Sequence, residues 1–218
     1  MTLLDRLGGR QAIMQGVEET FRLLSRHPHP SHGEELTCRD YAAFLREKLG
    51  AEPVEDSVHN LMCTLPASSG REGRPTLILQ GHMDMVCACA GGFRPESDAV
   101  NIVTKDGFLR SDGRSSLGAD NGLGNAAVLW LLSTGQMAHG PLTLLFTTAE
   151  EVGLAGAMEV DPAWLSGSDY LLNTDGFHLS RAIVGSAGGR RETWSRPLEM
   201  EGAPALPAWR ITLPGGLG

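Results

Sequence analysis

The chain has 218 residues, 41% of them hydrophobic, and a formal net charge of -8 spread along the sequence rather than gathered in a tail. That length gives one full domain with a core, or one domain and part of another, and the acidic balance argues against a nucleic-acid surface or an anionic membrane partner. Asp5, Arg6 and Arg10 interrupt the start where a signal peptide needs an apolar core, and no run approaches membrane-spanning length, so a soluble, cytoplasmic protein is expected.

Ile13, Val17, Phe21 and Leu24 recur at roughly helical spacing over 11–25, and Pro28 ends that helix. In the segment RHPHPSHGEE, two prolines fix a short extended loop carrying His27, His29 and His32, and Ser31 is placed to cap the next helix. Three histidines so spaced invite a metal reading, although such loops are more often solvated or hydrogen-bonded. A second amphipathic helix over 34–49 puts Leu36, Tyr41, Phe44, Leu45 and Leu49 on its apolar side and stops at Gly50. Strand character follows over 54–65, then a polar, hairpin-like link over 68–75. Helix, helix, strand, turn, strand is the entry to an α/β sheet.

The stretch 77–86, LILQGHMDMV, reads as a buried strand that delivers His82 and Asp84 to its carboxyl end on one face. An imidazole suits a divalent transition metal, and a carboxylate two residues along can orient it. Within the loop-rich stretch 88–116, Lys105-Asp106-Gly107-Phe108-Leu109 reads as a turn between short strands. The four cysteines, Cys38, Cys63, Cys87 and Cys89, read as reduced thiols rather than a disulfide framework, and Cys87-x-Cys89 is tighter than the usual zinc pair.

In LGADNGLGNAAVLWLLSTG, Asp120 precedes a helix with a core face of Leu123, Ala127 and Leu131, closed by Gly135. Its glycines lack the preceding strand and order of a nucleotide loop. The strand over 141–148 ends at Glu150-Glu151, adjacent glutamates that diverge, so that one can bind metal while the other works as a general base. A strand over 169–174 ends at Asp175. Taken singly, Asp120 could cap its helix and the glutamates could favour a helix dipole. Four such groups, His82, Asp120, Glu151 and Asp175, at strand ends where open α/β sheets bind ligands, point to one shared divalent site.

LQGHMDMV, LGADNGLG, TTAEEVGLAGA and LLNTD, in this order and spacing, resemble the M20 family of co-catalytic zinc peptidases. More narrowly they look like its cytosolic aminoacyl-histidine dipeptidase branch, the PepD-like enzymes, which HPHPSHGEE and the later GSAGG also resemble. The resemblance runs from the region of Thr20 to the last residue. It implies an α/β catalytic domain over 1–184, a mixed, largely parallel sheet flanked by helices, and the beginning of an α+β lid domain over 185–218. It also implies two divalent cations, zinc first, with cobalt or manganese as alternatives. His82 would bind one ion, Asp120 bridge both, Glu151 bind the second and Asp175 complete the first, while Asp84 supports His82. Glu150 would be the general base, taking a proton from a water whose pKa the ions lower toward about 7 and returning it to the leaving amine.

The implied substrate is a small peptide, a dipeptide of the Xaa-His type such as β-alanyl-histidine. An aminotripeptidase or an N-acyl amino acid deacylase would use the same constellation, and a truncated, non-catalytic metal-binding module is a third reading. A homodimer is implied for a full-length form. Members of this branch are longer: after the position of Asp175 they insert the lid and then complete the catalytic domain, supplying a further metal-ligating histidine and residues that bind the substrate carboxylate. Here the sequence ends at RITLPGGLG, and Gly176-Phe177 stands where relatives carry polar residues. An unpaired sheet edge and an uncovered apolar face are expected from that ending.

Overall fold

The structure, a computed structural model, describes residues 2–176 and 181–185. The chain divides into units 1–179 and 180–218, and the described residues of the second, 181–185, form no regular element. Phe177 and residues 186–218, with most of the expected lid segment and of GSAGG, lie outside the described residues.

Helix α1 (Leu3–Arg6) is one turn closed by a reciprocal cap between Thr2 and Asp5. Helix α2 (Gly9–Leu24) buries Thr20, Phe21 and Leu24, and α3 (Glu35–Leu49) buries a stripe that includes Cys38, Tyr41, Ala42, Phe44 and Leu45. Gly50 ends α3 in the left-handed conformation that a glycine takes without strain. Two expectations fail here. Leu36 is 46% exposed, because it stands nine residues, two and a half turns, from fully buried Leu45 and so faces the opposite way. Ser31 does not cap α3, whose N-cap is Glu34 without a side-chain bond.

The strand expected over 54–65 is two strands, β1 (Val54–Glu55) and β2 (Leu61–Leu65). The turn between them closes on the Asp56 carboxylate, which accepts from the backbone N–H groups of Val58 and Asn60 and from the Asn60 amide. Next come β3 (Leu77–His82), β4 (Ile102–Lys105), β5 (Phe108–Ser111), α4 (Ala119–Ser133), β6 (Leu142–Thr147), α5 (Ala155–Met158) and β7 (Tyr170–Asn173). β4 and β5 form a separate hairpin across Asp106 and Gly107, both at positive φ, as the sequence predicts for a tight turn.

The main sheet runs β1-β2-β6-β3-β7; β3 is parallel to both neighbours, and β6 is antiparallel to β2. The 68–75 link is therefore no hairpin, since β6 enters between β2 and β3. All six β6 residues are buried, as both its faces are covered. Leu142, Leu144 and Phe146 pack into the main core with α2, α3 and α4, where Phe146 meets Tyr41 edge-on at 5.0 Å between ring centroids.

Helix α4 carries a further correction. Its buried residues are Asn121, Gly122, Asn125, Ala126 and Leu129, whereas Leu123 is 44% exposed, Ala127 is exposed and Leu131 half-buried. The helix is apolar nearly all round, so its large side chains do not set its rotation; small residues and a buried amide mark the packed side.

From β3 the chain crosses through α4 to β6 on one flank, then through α5 and a 3-10 turn (Pro162–Trp164) to β7 on the other. Connections diverging in this way make the carboxyl end of β3 a switch point, where open α/β sheets bind ligands. β7 is an edge of the described sheet, with Tyr170, Leu171 and Leu172 all more than half exposed.

Candidate metal centre

His82 ends β3 at 1% exposure. Its Nδ1 lies 3.0 Å from the Asp84 carbonyl oxygen and 3.3 Å from Asp84 Oδ1. Its Nε2 lies 3.1 Å from Asp120 Oδ1 and 3.6 Å from Asp175 Oδ2. The ring is thus braced on one side and presents its other nitrogen to two carboxylates. Behind it, Asn125 Nδ2 donates to the His82 carbonyl at 2.7 Å and stands 3.0 Å from the Tyr41 hydroxyl. Gly81 makes this closeness possible: a Cβ there would lie 2.1 Å from Asn125 Oδ1 and 2.7 Å from Asn121 Nδ2.

Asp84, also 1% exposed, ties the glutamate loop to the end of β3. Its Oδ1 accepts from Glu150 N at 2.9 Å, and its Oδ2 from Glu151 N at 3.1 Å and from Ser31 Oγ at 2.7 Å. Burial works against its charge, but the bonds from His82, Ser31 and the two backbone amides outweigh it and hold its pKa at about 2. Buried Glu34 accepts from Ala149 N at 2.8 Å, and Asn60 Oδ1 from Thr148 N at 2.9 Å, so each peptide N–H from 148 to 151 has a side-chain acceptor.

Asp120 lies in the first turn of α4 with non-helical dihedrals, after Gly118 as N-cap, and the Asp120-Asn121 peptide is cis. Its carboxylate faces His82 and does not cap the helix. Asp175, just past β7, donates its N–H to Asn173 Oδ1, while Thr174 N donates to Gln80 O on β3.

Two sets of ligand atoms lie within 4.8 Å of one another: His82 with Asp120 and Asp175, and His82 with Glu150 and Glu151. All six site residues expected from the sequence are therefore gathered here, with Asp84 beneath the His82 ring and the other four around it. Burial raises the pKa values of Glu150, Glu151 and Asp175, and neighbouring carboxylates raise them further, Asp120 acting on both Glu151 and Asp175. For His82, burial opposes the charged form, yet Asp84 and Asp120, with the charge of Glu150, push its pKa up to about 9. One imidazole among crowded carboxylates is a donor set that fits a hard or borderline divalent cation.

Other candidates go elsewhere. His29 is buried with Nδ1 2.5 Å from the His27 carbonyl oxygen, and burial lowers its pKa. Among the described residues, none of His27, His29 and His32 joins a set of metal-ligand atoms, nor do Cys87 and Cys89, whose sulfurs are 3.3 Å apart. The sequence reading missed Ser31 as a partner of Asp84, and Glu34, Asn60 and Asn125 as buried supports. Asn125 inside an apolar helix was the available signal, since a buried amide needs partners.

The cytosol non-specific dipeptidase of Escherichia coli (strain K12) is 34% identical to the chain over 214 residues, 94% of this chain and 42% of that protein. The chain is homologous to the N-terminal part of this PepD-type M20 peptidase. It spans about two fifths of this curated relative. Aminoacylhistidine dipeptidase from Vibrio alginolyticus is 32% identical, with a TM-score of 0.67 covering 74% of this chain and 33% of that one. Its fold matches the mixed, helix-flanked sheet described above. The YxeP protein of Bacillus subtilis, a dinuclear metal-binding peptidase of the M20 family, shares the fold at 19% identity and a TM-score of 0.52, covering 75% of this chain and 43% of that one. No protein-family model matches the chain. Similarity to the Escherichia coli dipeptidase thus covers nearly the whole chain.

Proposed function

We propose that the chain is the metal-binding, catalytic part of a peptidase that hydrolyses dipeptides, Xaa-His dipeptides of the β-alanyl-histidine type among them. The observation that carries this is the convergence of His82, Asp120, Glu150, Glu151 and Asp175 at the switch point of the sheet. The similarity to a non-specific dipeptidase and to an aminoacylhistidine dipeptidase supports the substrate class.

Two divalent cations, zinc foremost, would be held by His82 and Asp175 on one side and Glu151 on the other, with Asp120 between them. When bound, such ions lower the pKa of water toward about 7 and polarise a carbonyl. Glu150 carries a proton on its carboxylate from the attacking water to the leaving amine, a role suited to the raised pKa that burial and neighbouring carboxylates give it. Asp84 holds His82 by Nδ1, leaving Nε2 free to bind. By fixing the N–H groups of Glu150 and Glu151 it sets where both carboxylates point. We assign 1–184 to the catalytic domain and 185–218 to the start of a lid.

The test is hydrolysis of a dipeptide, tripeptide and N-acyl amino acid panel with added zinc or manganese, by wild type and Glu150→Gln. Metal-dependent dipeptide turnover, lost in Glu150→Gln while bound metal persists, is expected. A preference for tripeptides or N-acyl substrates would move the chain to those M20 activities. No turnover from a protein that holds its cations would make it a non-catalytic metal-binding module.

A further inference from the structure

Another set of metal-ligand atoms, outside the His82 site, is formed by Cys38, Glu55 and His59, with the sulfur, a carboxylate oxygen and a ring nitrogen all within 4.8 Å of one another. We propose that these three side chains bind a further divalent cation, zinc or one that shares its affinity for sulfur and nitrogen, in a thiolate site distinct from the His82 centre.

The three ligands come from three segments: Cys38 from the first turn of α3, Glu55 from β1, and His59 from the β1–β2 turn. Cys38 is buried at 1% exposure, whereas the side chains of Glu55 and His59 are 44% and 40% exposed, so an ion can enter from solvent and meet the sulfur at the floor. One sulfur, one nitrogen and one oxygen leave a fourth tetrahedral position to water, within zinc's ordinary ligand range.

Local structure already organises the set. His59 sits at φ 69°, a left-handed backbone unusual for histidine, and its Nδ1 lies 2.5 Å from Glu55 Oε1. The turn holding it there closes on Asp56, and the next residue, Asn60, is fully buried, accepting from Thr148 N and donating to Gly156 O. Nothing in the His82 chemistry uses Cys38, Glu55 or His59. On binding, Cys38 Sγ gives its proton to solvent and the metal takes its place; the ring nitrogen must be unprotonated, and the carboxylate binds as it stands.

Cobalt(II) distinguishes the two centres, because only a thiolate ligand gives an intense near-ultraviolet charge-transfer band and the His82 centre contains no sulfur. The titration is done on the full 218-residue chain carrying Cys87→Ser and Cys89→Ser, so that Cys38 and buried Cys63 are the remaining thiols. The expected result is a saturable thiolate band that zinc abolishes, absent in Cys38→Ser and weakened at least about 10-fold in affinity in His59→Asn, a residue that tolerates the left-handed turn. His82→Ala should leave the band in place. Absence of any thiolate band, or a band that survives Cys38→Ser or follows His82 instead, overturns the proposal. Should Cys38→Ser fail to fold, an unchanged band in His59→Asn overturns it equally.

Discussion

Replacing Asp84 should unfasten the glutamate loop from the sheet. In Asp84→Ala, Glu150 N and Glu151 N lose their acceptor. An orphaned buried donor costs about 1–3 kcal/mol, so the pair comes to about 2–6 kcal/mol, a large part of the roughly 5–15 kcal/mol that holds a domain together. The carboxylate's own ionisation gives a second figure. Its pKa falls from 3.8 to about 2 on folding, worth about 2 kcal/mol. Because the folded value is the lower one, that stability is present above pH 3.8 and is lost as pH falls through about 2. Asp84→Asn keeps the volume and one acceptor, but either orientation turns its NH2 group toward one of the two backbone donors, so a loss between wild type and alanine is expected. The assay is urea unfolding of metal-stripped protein at neutral pH, which removes ligand linkage, followed by a series into acid in which the gap from wild type narrows. A loss below about 1 kcal/mol for Asp84→Ala, or a gap that does not change with pH, would refute the argument.

Three further outcomes follow from the geometry. With its pKa at about 9, His82 is protonated at pH 7 in the metal-free chain, so cation binding should release about one proton from it; calorimetry of the Cys38→Ser protein in buffers of different ionisation enthalpy measures this, and adding His82→Ala should lose it. Leu129→Ala, at a fully buried position, should cost about 2–5 kcal/mol in denaturant unfolding, whereas Leu123→Ala should cost no more than about 0.5 kcal/mol; the reverse ranking would restore the core face of Leu123, Ala127 and Leu131. Gly81→Ala should destabilise by about 1–3 kcal/mol or more and weaken metal retention, because its methyl meets Asn125, Asn121 and Thr174 at under 3 Å; unfolding curves with metal analysis on the same samples check it.

The strands that carry the site were legible because each is an apolar run with an imidazole at its end or an acid within three residues of it: His82 closes Leu77–His82, Glu150 follows Leu142–Thr147 and Asp175 follows Tyr170–Asn173. Gathering of the six side chains was legible too, since carboxyl ends of neighbouring parallel strands must share one rim. Pairing was not. β2 and β3 are adjacent in sequence, yet β6 separates them, and nothing local in 68–75 records an insertion made from Leu142–Thr147. The rotation of α4 was hidden by its uniform apolarity, and that of Leu36 by its being one apolar residue among several. Ser31 suggests a helix cap because that role is local, whereas its partner, Asp84, lies 53 residues along the chain. The supports Glu34 and Asn60 are invisible for the same reason, their partners belonging to other segments, whereas Asn125 leaves one sign, an amide inside an apolar helix.

The most direct test of the central claim is the divalent metal content of the purified chain after dialysis against zinc or manganese, measured with Cys38→Ser in the background so that only the His82 centre is counted. Bound cation in that protein, lost when His82→Ala or Asp120→Ala is added, is the predicted result. Equal retention with and without His82, or none in either, would contradict the account.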